Sequence, residues 1–367
     1  MAEATRALAA VIDEAGARPR IEEVGVRDPG PGEVRVRVAA CGICASDLHV
    51  WRTGEGIHFP AVLGHEAAGA IEALGPGVKG LAEGDRVVLS WVPSCGRCRA
   101  CLGGRPQLCA AIRTDPDDGS LSRGDRPLGR YMAISGLSQR VVVTAGSVVP
   151  VPDALPLRLA CLIGCGVTTG LGAATLAGAA GRGESVAVFG CGGVGLSAIQ
   201  GARIAGAAPR IAVDPNESRL ALAERLGATD LVTSTGAEAV AAIRELTRGG
   251  ADLTIESVGS AAVARQAFDA LAPGGRAVIV GLTSFDEEVR IPMVTLLLDR
   301  TLRGSIHGSA DPQRDFPRFF ELAIEGALRL EDMSGPDYPL EQVADAFEAL
   351  ASGRAVRPRV VLDPDLT

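Results

Sequence analysis

Four cysteines stand close together in the segment SCGRCRACLGGRPQLC, residues 94–109. They follow the spacing C-x2-C-x2-C-x7-C and are Cys95, Cys98, Cys101 and Cys109. Thiols at such spacings can form disulfides, bind an iron–sulfur cluster or bind zinc. The remainder of the chain must decide among these three chemistries.

A second group of potential ligands comes from three separate segments. CGICASDLH contains Cys44, LGHEAAG contains His65, and IGCGVTTG contains Cys165. Two thiolates and one imidazole are a ligand set that catalytic zinc takes, with the fourth position open to water or substrate. Cys41 and Cys44 also form C-x-x-C, which elsewhere indicates redox chemistry. The S-x-x-H that follows favours Cys44 as the ligand and Cys41 as a bystander.

A glycine-rich turn in VFGCGGVGLSA places Gly190, Gly192 and Gly195 in the spacing G-x-G-x-x-G. An apolar strand precedes this turn and a helix of small residues follows it, as a dinucleotide-binding unit requires. The first glycine permits the tight turn, the second lets a pyrophosphate approach, and the third lets helix and strand pack. The helix N-terminus then faces the phosphates. A glycine turn without a ligand is the alternative.

An acidic residue, Asp214, ends the next strand in RIAVDPNE. A carboxylate there can accept hydrogen bonds from the adenosine ribose and repels a 2′-phosphate, which favours NAD over NADP. A purely structural alternative also fits the sequence. In it Asp214 is a helix N-cap, Pro215 is the first helical residue, and Glu217 completes a capping box.

The composition argues against several classes of function. The 367 residues carry 36 basic and 44 acidic side chains, a net charge of −8, which argues against binding to nucleic acid or to an anionic membrane. No run of about 18 apolar residues indicates a transmembrane helix. The N-terminal segment lacks a signal-peptide layout, so we expect a cytoplasmic protein. In such a protein nine cysteines indicate metal binding or catalysis rather than disulfides.

The elements that must position these residues change in pattern along the chain. Up to about residue 165 the sequence predicts short strands, such as EVRVRVAACGIC, separated by turns of Pro and Gly. Beyond it, apolar strands alternate with helices, which indicates a parallel sheet covered on both faces. The last segment is expected to return to the first domain. The length itself favours two domains.

Over nearly its whole length the chain resembles the zinc-containing, medium-chain alcohol dehydrogenases. The matching segments are CGICASDLH, GHEAAG, the four-cysteine loop, GCGVTTG, GCGGVG and AVD, in the family's order and spacing. The resemblance implies an α/β fold with a GroES-like, β-rich catalytic domain and a Rossmann domain built on a doubly wound parallel sheet. The implied boundaries are 1–165 with the structural-zinc loop 94–110, then 166–307, and a return to the catalytic domain over 308–367.

The resemblance also implies a catalytic zinc site. Cys44, His65 and Cys165 would bind the metal, with water or substrate oxygen in fourth place. Asp47 would orient His65, and Glu66 would lie behind the metal, where it could ligate it transiently.

The implied chemistry is the oxidation of an alcohol. Zinc, when bound, would supply a Lewis acid that makes the alcohol proton easier to remove. Ser46, the cofactor ribose and His49 would carry that proton away, and the nicotinamide would take the hydride. Trp91, Tyr131 and Met132 would line the substrate pocket, although Trp91 could equally be plain packing.

The cofactor site is implied residue by residue as well. Thr169 and Val194 would pack near the nicotinamide, Arg219 near the adenosine ribose, and Arg357 would reach the pyrophosphate. The complete set of implied cofactor contacts is Gly190, Gly192, Gly193, Val194, Gly195, Asp214, Arg219, Thr169, Leu282 and Arg357.

For the four-cysteine loop the resemblance implies a structural zinc, closed by four thiolates, so that each chain binds two zinc ions and NAD. The loop lacks the C-x3-C-P ending of ferredoxin-type clusters, which argues against iron–sulfur.

The expected activity is reversible hydride transfer between a primary aliphatic or aromatic alcohol and NAD, giving the aldehyde. The alternatives are a thiol-adduct-dependent formaldehyde dehydrogenase, a nicotinoprotein alcohol dehydrogenase that keeps its NAD, and a zinc- and NAD-binding redox sensor without turnover. The partners expected are the small-molecule alcohol or aldehyde and a second copy in a homodimer, with a tetramer as second choice.

Overall fold

The structure, a computed structural model, describes residues 5–112, 118–284 and 286–366. Its strands, in chain order, are β1 Thr5–Ile12, β2 Arg20–Val26, β3 Glu33–Gly42, β4 Ala61–Val62, β5 Glu66–Leu74, β6 Arg86–Leu89, β7 Leu121–Arg123, β8 Arg126–Pro127, β9 Gly129–Arg130, β10 Arg140–Thr144, β11 Val148–Pro150, β12 Val186–Phe189, β13 Arg210–Val213, β14 Asp230–Val232, β15 Ala251–Glu256, β16 Leu271–Ile279, β17 Thr301–Gly304, β18 Asp337–Pro339 and β19 Arg359–Val361. Its α-helices are α1 Ala45–Thr53, α2 Arg99–Leu102, α3 Leu157–Ala160, α4 Gly166–Gly172, α5 Gly193–Ile204, α6 Glu217–Leu226, α7 Gly236–Leu246, α8 Ala261–Asp269, α9 Met293–Leu296, α10 Pro312–Ile324, α11 Leu330–Met333 and α12 Val343–Ala351.

The chain divides into two compact units. The first comprises Met1–Cys165 and Asp311–Thr367, and the second comprises Gly166–Ala310. Among the described residues no single helix is long and apolar enough to cross a membrane. One bent pair of helical segments, Leu157–Gly164 and Gly166–Ala177, meets that test only when the two are taken together, by length and composition alone.

The first unit is built from two sheets. One has the strand order β8-β7-β2-β1-β4-β9, and the other has the order β11-β6-β5-β3-β19-β18 with β10 also pairing with β3. The period-two pattern of β3 explains its central place, because Val34, Val36 and Val38 are fully buried in the core. Arg35 lies between them and pairs with Glu72 at the opposite face.

The last strand of the chain, β19, completes the second of these sheets. It pairs antiparallel with β3, so that Arg359 lies opposite Gly42. On its other side β3 pairs with β5, and there Gly42 lies opposite Glu66. The end of β3 therefore brings residues from three distant parts of the sequence together.

The second unit is a single parallel sheet with helices. Its strand order is β14-β13-β12-β15-β16-β17, and every pair in it is parallel. In order of appearance this is 3-2-1-4-5-6, the arrangement of dinucleotide-binding doubly wound sheets, in which ligands bind at the carboxyl ends of the strands. The α/β fold with a β-rich domain and a Rossmann domain is thus confirmed.

Candidate active site

The turn from β3 into α1 positions the first group of side chains. Cys44 is the N-cap of α1, and its backbone N–H donates to Asp47 Oδ2 at 2.9 Å. The other carboxylate oxygen of Asp47 accepts from Gly64 N at 2.9 Å and from His65 Nδ1 at 3.1 Å. Asp47 is fully buried. It therefore fixes two predicted ligands at once and leaves Nε2 of His65 with the lone pair that a metal needs.

Four potential ligands converge at this turn. The ligand atoms of Cys44, His65, Glu66 and Cys165 all lie within 4.8 Å of one another, and all four residues are buried. Ser46 joins them, because its hydroxyl lies 3.2 Å from Cys44 Sγ and 3.3 Å from His65 Nε2. Two sulfurs and one imidazole nitrogen are donors that suit zinc, so the residues present fit the metal.

A hydrogen bond between the two thiols of this group shifts their pKa values in opposite directions. A hydrogen bond from Cys165, assisted by His65, holds the pKa of Cys44 well below its ordinary value. The same bond, together with burial, raises the pKa of Cys165 well above it. Burial lowers the pKa of His65, but the Asp47 carboxylate outweighs it and the net shift is upward. A thiolate at Cys44 is thus favoured by the protein itself.

Glu66 is set apart from the other three by an ion pair. Arg357 Nη2 donates to Glu66 Oε2, and both side chains are buried. Burial raises the pKa of Glu66 to about 7, although Arg357 opposes this rise. The resemblance implied that Arg357 contacts the pyrophosphate of the cofactor. The contact described here is with Glu66, and the pyrophosphate contact stays a prediction.

An aromatic ring packs on the zinc-ligand candidate His65. The Tyr131 and His65 rings meet edge to face with centroids 5.4 Å apart, and Tyr131 is only 6% exposed. Burial, followed by the nearby Asp47 and Cys44, raises the pKa of the Tyr131 phenol well above its ordinary value. Met132 follows it in a left-handed conformation, with φ 48°. Trp91 is half-buried and packs on the core of the first unit.

His49 lies one helical turn after Ser46 in α1, on the same face. Its Nε2 is 2.9 Å from Oε2 of Glu55, just beyond the end of the helix. Sequence reasoning missed Glu55 and the partnership of Arg357 with Glu66. The short distance between His49 and Glu55 in the sequence was the one signal available for the former.

The four-cysteine loop forms a second group of potential ligands. The Sγ atoms of Cys95, Cys98, Cys101 and Cys109 all lie within 4.8 Å of one another. Backbone N–H groups lower the pKa of Cys98 to about 6, and burial raises the pKa of Cys101 to about 12. All nine cysteines of the chain are free. Four convergent thiols without an open position are the donors of a structural zinc site.

The loop around them has little core of its own. Leu102 and Leu108 are 76% and 50% exposed. A metal bound by the four thiols is therefore the interaction that would hold this segment in place.

The glycine turn of the second unit has the geometry of a dinucleotide site. Gly190 follows β12 with φ 90°, a conformation that strains any other residue. A Cβ on Gly195 would lie 1.8 Å from the carbonyl oxygen of Gly190, whereas one on Gly192 would meet open space. Gly192 is the N-cap of α5. The turn is tight where helix and strand pack and open where a phosphate would approach.

Asp214 follows β13 and connects the glycine turn with the turn between β13 and α6 through hydrogen bonds. Its Oδ2 accepts from Cys191 N at 2.8 Å and its Oδ1 from Asn216 N at 2.9 Å. The alternative in which Asp214 caps the helix, with Pro215 as its first residue and Glu217 completing a capping box, is wrong. Asn216 is the N-cap and α6 begins at Glu217.

The other predicted cofactor residues lie in this same unit, Arg357 excepted. Arg219 Nη1 is 3.8 Å from Asp214 Oδ2. Thr169 is a buried residue of α4, and its neighbour Gly170 packs on the carbonyl oxygen of Val194. Leu282 lies beyond β16 and is 55% exposed. Their roles toward NAD stay predictions.

Comparisons with known proteins agree with this arrangement. Residues 30–153 match the alcohol dehydrogenase GroES-like domain, and residues 193–325 match the zinc-binding dehydrogenase domain. The NDMA-dependent alcohol dehydrogenase of Amycolatopsis methanolica is 39% identical, over 97% of this chain and 99% of that protein.

Two further relatives bear on specificity. The S-(hydroxymethyl)glutathione dehydrogenase of Komagataella pastoris is 35% identical, over 96% of this chain and 97% of that protein. The structure of benzyl alcohol dehydrogenase from Acinetobacter calcoaceticus superposes with a TM-score of 0.92 at 33% identity, covering 98% of this chain and 99% of that one. The family predicted from the sequence is confirmed: the chain belongs to the zinc-containing alcohol dehydrogenases, oxidoreductases that use zinc and NAD.

Proposed function

We propose that this dehydrogenase oxidises primary alcohols with an aromatic or medium-length aliphatic group to the corresponding aldehydes, reversibly. The observation that carries the proposal is the position of the Ser46 hydroxyl, which lies within hydrogen-bond distance of Cys44 Sγ and His65 Nε2. An alcohol oxygen brought to these ligands is thereby next to a group that can take its proton.

Each residue of the site has a distinct part in this reaction. Cys44, His65 and Cys165 would hold zinc, which when bound supplies Lewis-acid polarisation of the substrate oxygen. Ser46 accepts the hydroxyl proton and passes its own onward to His49. Asp47 keeps the His65 ring in one tautomer and one orientation.

The second unit supplies the redox partner. The turn Gly190–Gly195 would hold NAD, which when bound supplies the hydride acceptor. The carboxylate of Asp214 gives that turn its shape through Cys191 N and is a candidate acceptor for the ribose hydroxyls. Positioning of donor against acceptor is the remaining contribution of the protein.

The proposed substrate class rests on Tyr131. Its ring packs edge to face on His65, so an apolar aromatic surface borders the ligand set. The similarity to a benzyl alcohol dehydrogenase supports the same class. The relative that acts as an S-(hydroxymethyl)glutathione dehydrogenase keeps thiol-adduct oxidation as the second candidate.

The test is the rate of NAD reduction with benzyl alcohol, hexanol, propan-2-ol and formaldehyde plus glutathione, each with and without a strong zinc chelator. We expect chelator-sensitive turnover that is fastest with the first two.

Tyr131→Leu should lower kcat/KM for benzyl alcohol more than for hexanol. Tyr338→Leu, at the only other tyrosine, is the matched control. Faster turnover of the thiol adduct would contradict the proposed class. Turnover only with NDMA as acceptor would indicate a permanently bound NAD.

We also propose that the chain forms a homodimer through the β17 edge of the parallel sheet. β17 is an edge strand with exposed residues, and such edges pair readily with another strand. The segment that precedes β17 in the sequence carries exposed apolar side chains, of which Met293 and Leu297 are each 83% exposed. An apolar patch of this kind marks an interaction surface, and an edge strand suits a second copy of the same chain.

Sedimentation of the wild-type protein and of the double variant Met293→Lys, Leu297→Glu tests this proposal. We expect a dimer for the former and a monomer for the latter. A monomeric wild type would contradict it, and a tetramer would show that a further surface is used.

A further inference from the structure

His49 and Glu55 form a hydrogen-bonded pair at the C-terminal end of α1. His49 Nε2 lies 2.9 Å from Glu55 Oε2, and the two side chains are 29% and 42% exposed. We propose that Glu55 is a positioning residue of the proton relay, which fixes the tautomer of His49 and conducts the released proton to solvent. The inference rests on the role of His49 in the proposed function.

The main chain is shaped to place Glu55 on His49. The helix ends at Gly54, whose φ of 72° reverses the chain and whose N–H donates to Val50 O. The hydroxyl of Thr53 then donates to His49 O at 2.9 Å and accepts from Glu55 N at 3.2 Å. One threonine side chain thus joins the backbones of the two partners. Such a local network holds the carboxylate more firmly than side-chain attraction alone would.

The chemistry of the contact decides the tautomer of the ring. An ionised carboxylate can only accept hydrogen bonds, so Nε2 of His49 must carry the proton in the bond to Glu55. The other ring nitrogen, Nδ1, is then left with its lone pair. A base that receives a relayed proton needs such a lone pair. Without Glu55 the ring is free to adopt the tautomer in which Nδ1 is already protonated.

The proton balance of the step follows from this arrangement. The proton that leaves the substrate hydroxyl arrives at Nδ1 and gives an imidazolium ion paired with the Glu55 carboxylate. The Nε2 proton then passes to Oε2 of Glu55 and from there to water, which both half-exposed side chains can reach. His49 returns to its neutral state with the proton on the opposite nitrogen, and ring reorientation or exchange with water restores the original tautomer. One proton is released for each alcohol oxidised.

A plain surface ion pair is the competing interpretation. Exposed pairs of this kind contribute little to stability, so a change in stability cannot distinguish the two interpretations. Two other measurements can distinguish them: the tautomer of His49, and whether the effects of substituting the two residues on kcat are independent.

The first experiment observes the ring directly in the enzyme as purified. The chain has four histidines, so the imidazole nitrogen resonances of isotope-labelled protein can be assigned with His49→Gln. We expect His49 to be protonated at Nε2 in the wild type and to shift toward a mixture of tautomers in Glu55→Gln. A wild-type ring protonated at Nδ1 would overturn the proposal, whatever the enzyme's activity.

The second experiment measures turnover with the alcohol that the substrate panel identifies as best. We expect Glu55→Gln to lower kcat by roughly 5-fold at nearly unchanged KM, because general acid–base steps contribute to kcat. Glu55→Asp should recover part of the loss. The exposed Glu83, in a turn of the same unit, provides the control Glu83→Gln with wild-type rates.

The double variant His49→Gln, Glu55→Gln decides between positioning and an independent effect. If Glu55 acts through His49, the double variant is no slower than His49→Gln alone. Losses that multiply would overturn the proposal. If the His49→Gln variant itself has the wild-type kcat, the proposed relay is wrong, and the inference about Glu55 is then wrong as well. A different preferred alcohol would contradict only the proposed substrate class.

Discussion

Arg357 donates a hydrogen bond to Glu66 although 291 residues separate them in the sequence. The pair forms because β3 lies between β5, which begins at Glu66, and β19, which begins just after Arg357. Both side chains are buried, and a buried ion pair that loses one partner leaves an uncompensated charge. The pair therefore keeps an ionisable carboxylate beside the zinc ligands without leaving it unpaired.

Arg357→Met should destabilise the protein strongly. We expect a loss of about 3–5 kcal/mol in the free energy of unfolding, since the buried Glu66 carboxylate loses its ionic partner. Urea denaturation measures it. The control is Arg359→Met, because Asp337, the partner of Arg359, is 35% exposed and can be hydrated. Adding Glu66→Gln to Arg357→Met should restore most of the stability. A double variant as unstable as the single one would contradict this account.

Asp47→Asn should weaken the metal site while keeping its shape. The two carboxylate oxygens accept from Cys44 N, Gly64 N and His65 Nδ1, and an amide cannot accept at both positions. Mutation of a group that orients a metal-binding histidine typically lowers the metal affinity about 10–100-fold. Competition with a zinc-binding dye measures the affinity. The control is Asp85→Asn, whose carboxylate accepts from Ala82 N in an exposed turn. Equal zinc affinities of Asp47→Asn and wild type would be the contrary result.

The four-cysteine set was predictable because its spacing is local and its chemistry is specific. Cys44, His65 and Cys165 lie in three separate segments, and the resemblance to the family implied that they bind one metal. Cysteine and histidine in short segments such as CGICASDLH have few other uses in that combination. The alternation of Val34, Val36 and Val38 in EVRVRVAACGIC likewise predicted a strand, which is β3.

The partners of those residues were not predictable in the same way. The pairing of Glu66 with Arg357 depends on strand order, which no local pattern encodes. The N-cap of α6 was ambiguous because Asp214 and Asn216 both suit that position. Asp214 instead accepts a hydrogen bond from Cys191 N in the glycine turn. Asn216 is therefore the N-cap of α6. The role of Glu55 depends on the reversal of the chain at Gly54.

Removal of one thiol from the four-cysteine loop should halve the zinc content. With two groups of ligands in the chain, we expect Cys98→Ser to retain one zinc ion and to be cut by trypsin at the arginines of the loop. The physical reason is that exposed Leu102 and Leu108 give the segment no core without its metal. Atomic absorption and limited proteolysis measure the two effects.

Cys161→Ala is the matched control for the loop, because Cys161 is buried outside both ligand groups. It should keep both zinc ions and resist trypsin. Purified protein that is brown and contains iron would replace the zinc assignment with an iron–sulfur cluster.

Asp214→Ser should reduce the preference for NAD over NADP. The loss of two hydrogen bonds from ribose to a charged acceptor costs about 3 kcal/mol, or roughly 100-fold in kcat/KM for NAD. Removal of the negative charge at the same time favours the 2′-phosphate. Steady-state kinetics with both cofactors measure the ratio. Glu217→Ser, at the exposed start of α6, should leave it unchanged. An unaltered ratio in Asp214→Ser would leave Asp214 with a purely structural role.

Glu256, at the carboxyl end of β15, should make the stability fall as the pH rises. Its Oε1 accepts from Val258 N and Gly259 N at 2.8 and 2.7 Å, but burial outweighs these bonds and raises its pKa above the ordinary 4.5. Between pH 4.5 and that raised value the folded state binds more protons than the unfolded state, so the free energy of unfolding decreases with increasing pH. Glu256→Gln removes this slope, and urea denaturation at a series of pH values measures it.

The second unit contains a control of opposite sign. A hydrogen bond from Arg276 lowers the pKa of Glu184, so its contribution to stability is present above pH 4.5 and is lost as the pH falls through the lowered value. Relative to wild type, Glu256→Gln should therefore gain stability as the pH rises above 4.5, whereas Glu184→Gln should show its largest deficit near neutral pH. If the free energy of unfolding depended on pH in the same way in both variants, burial would not be the dominant influence on the pKa of Glu256.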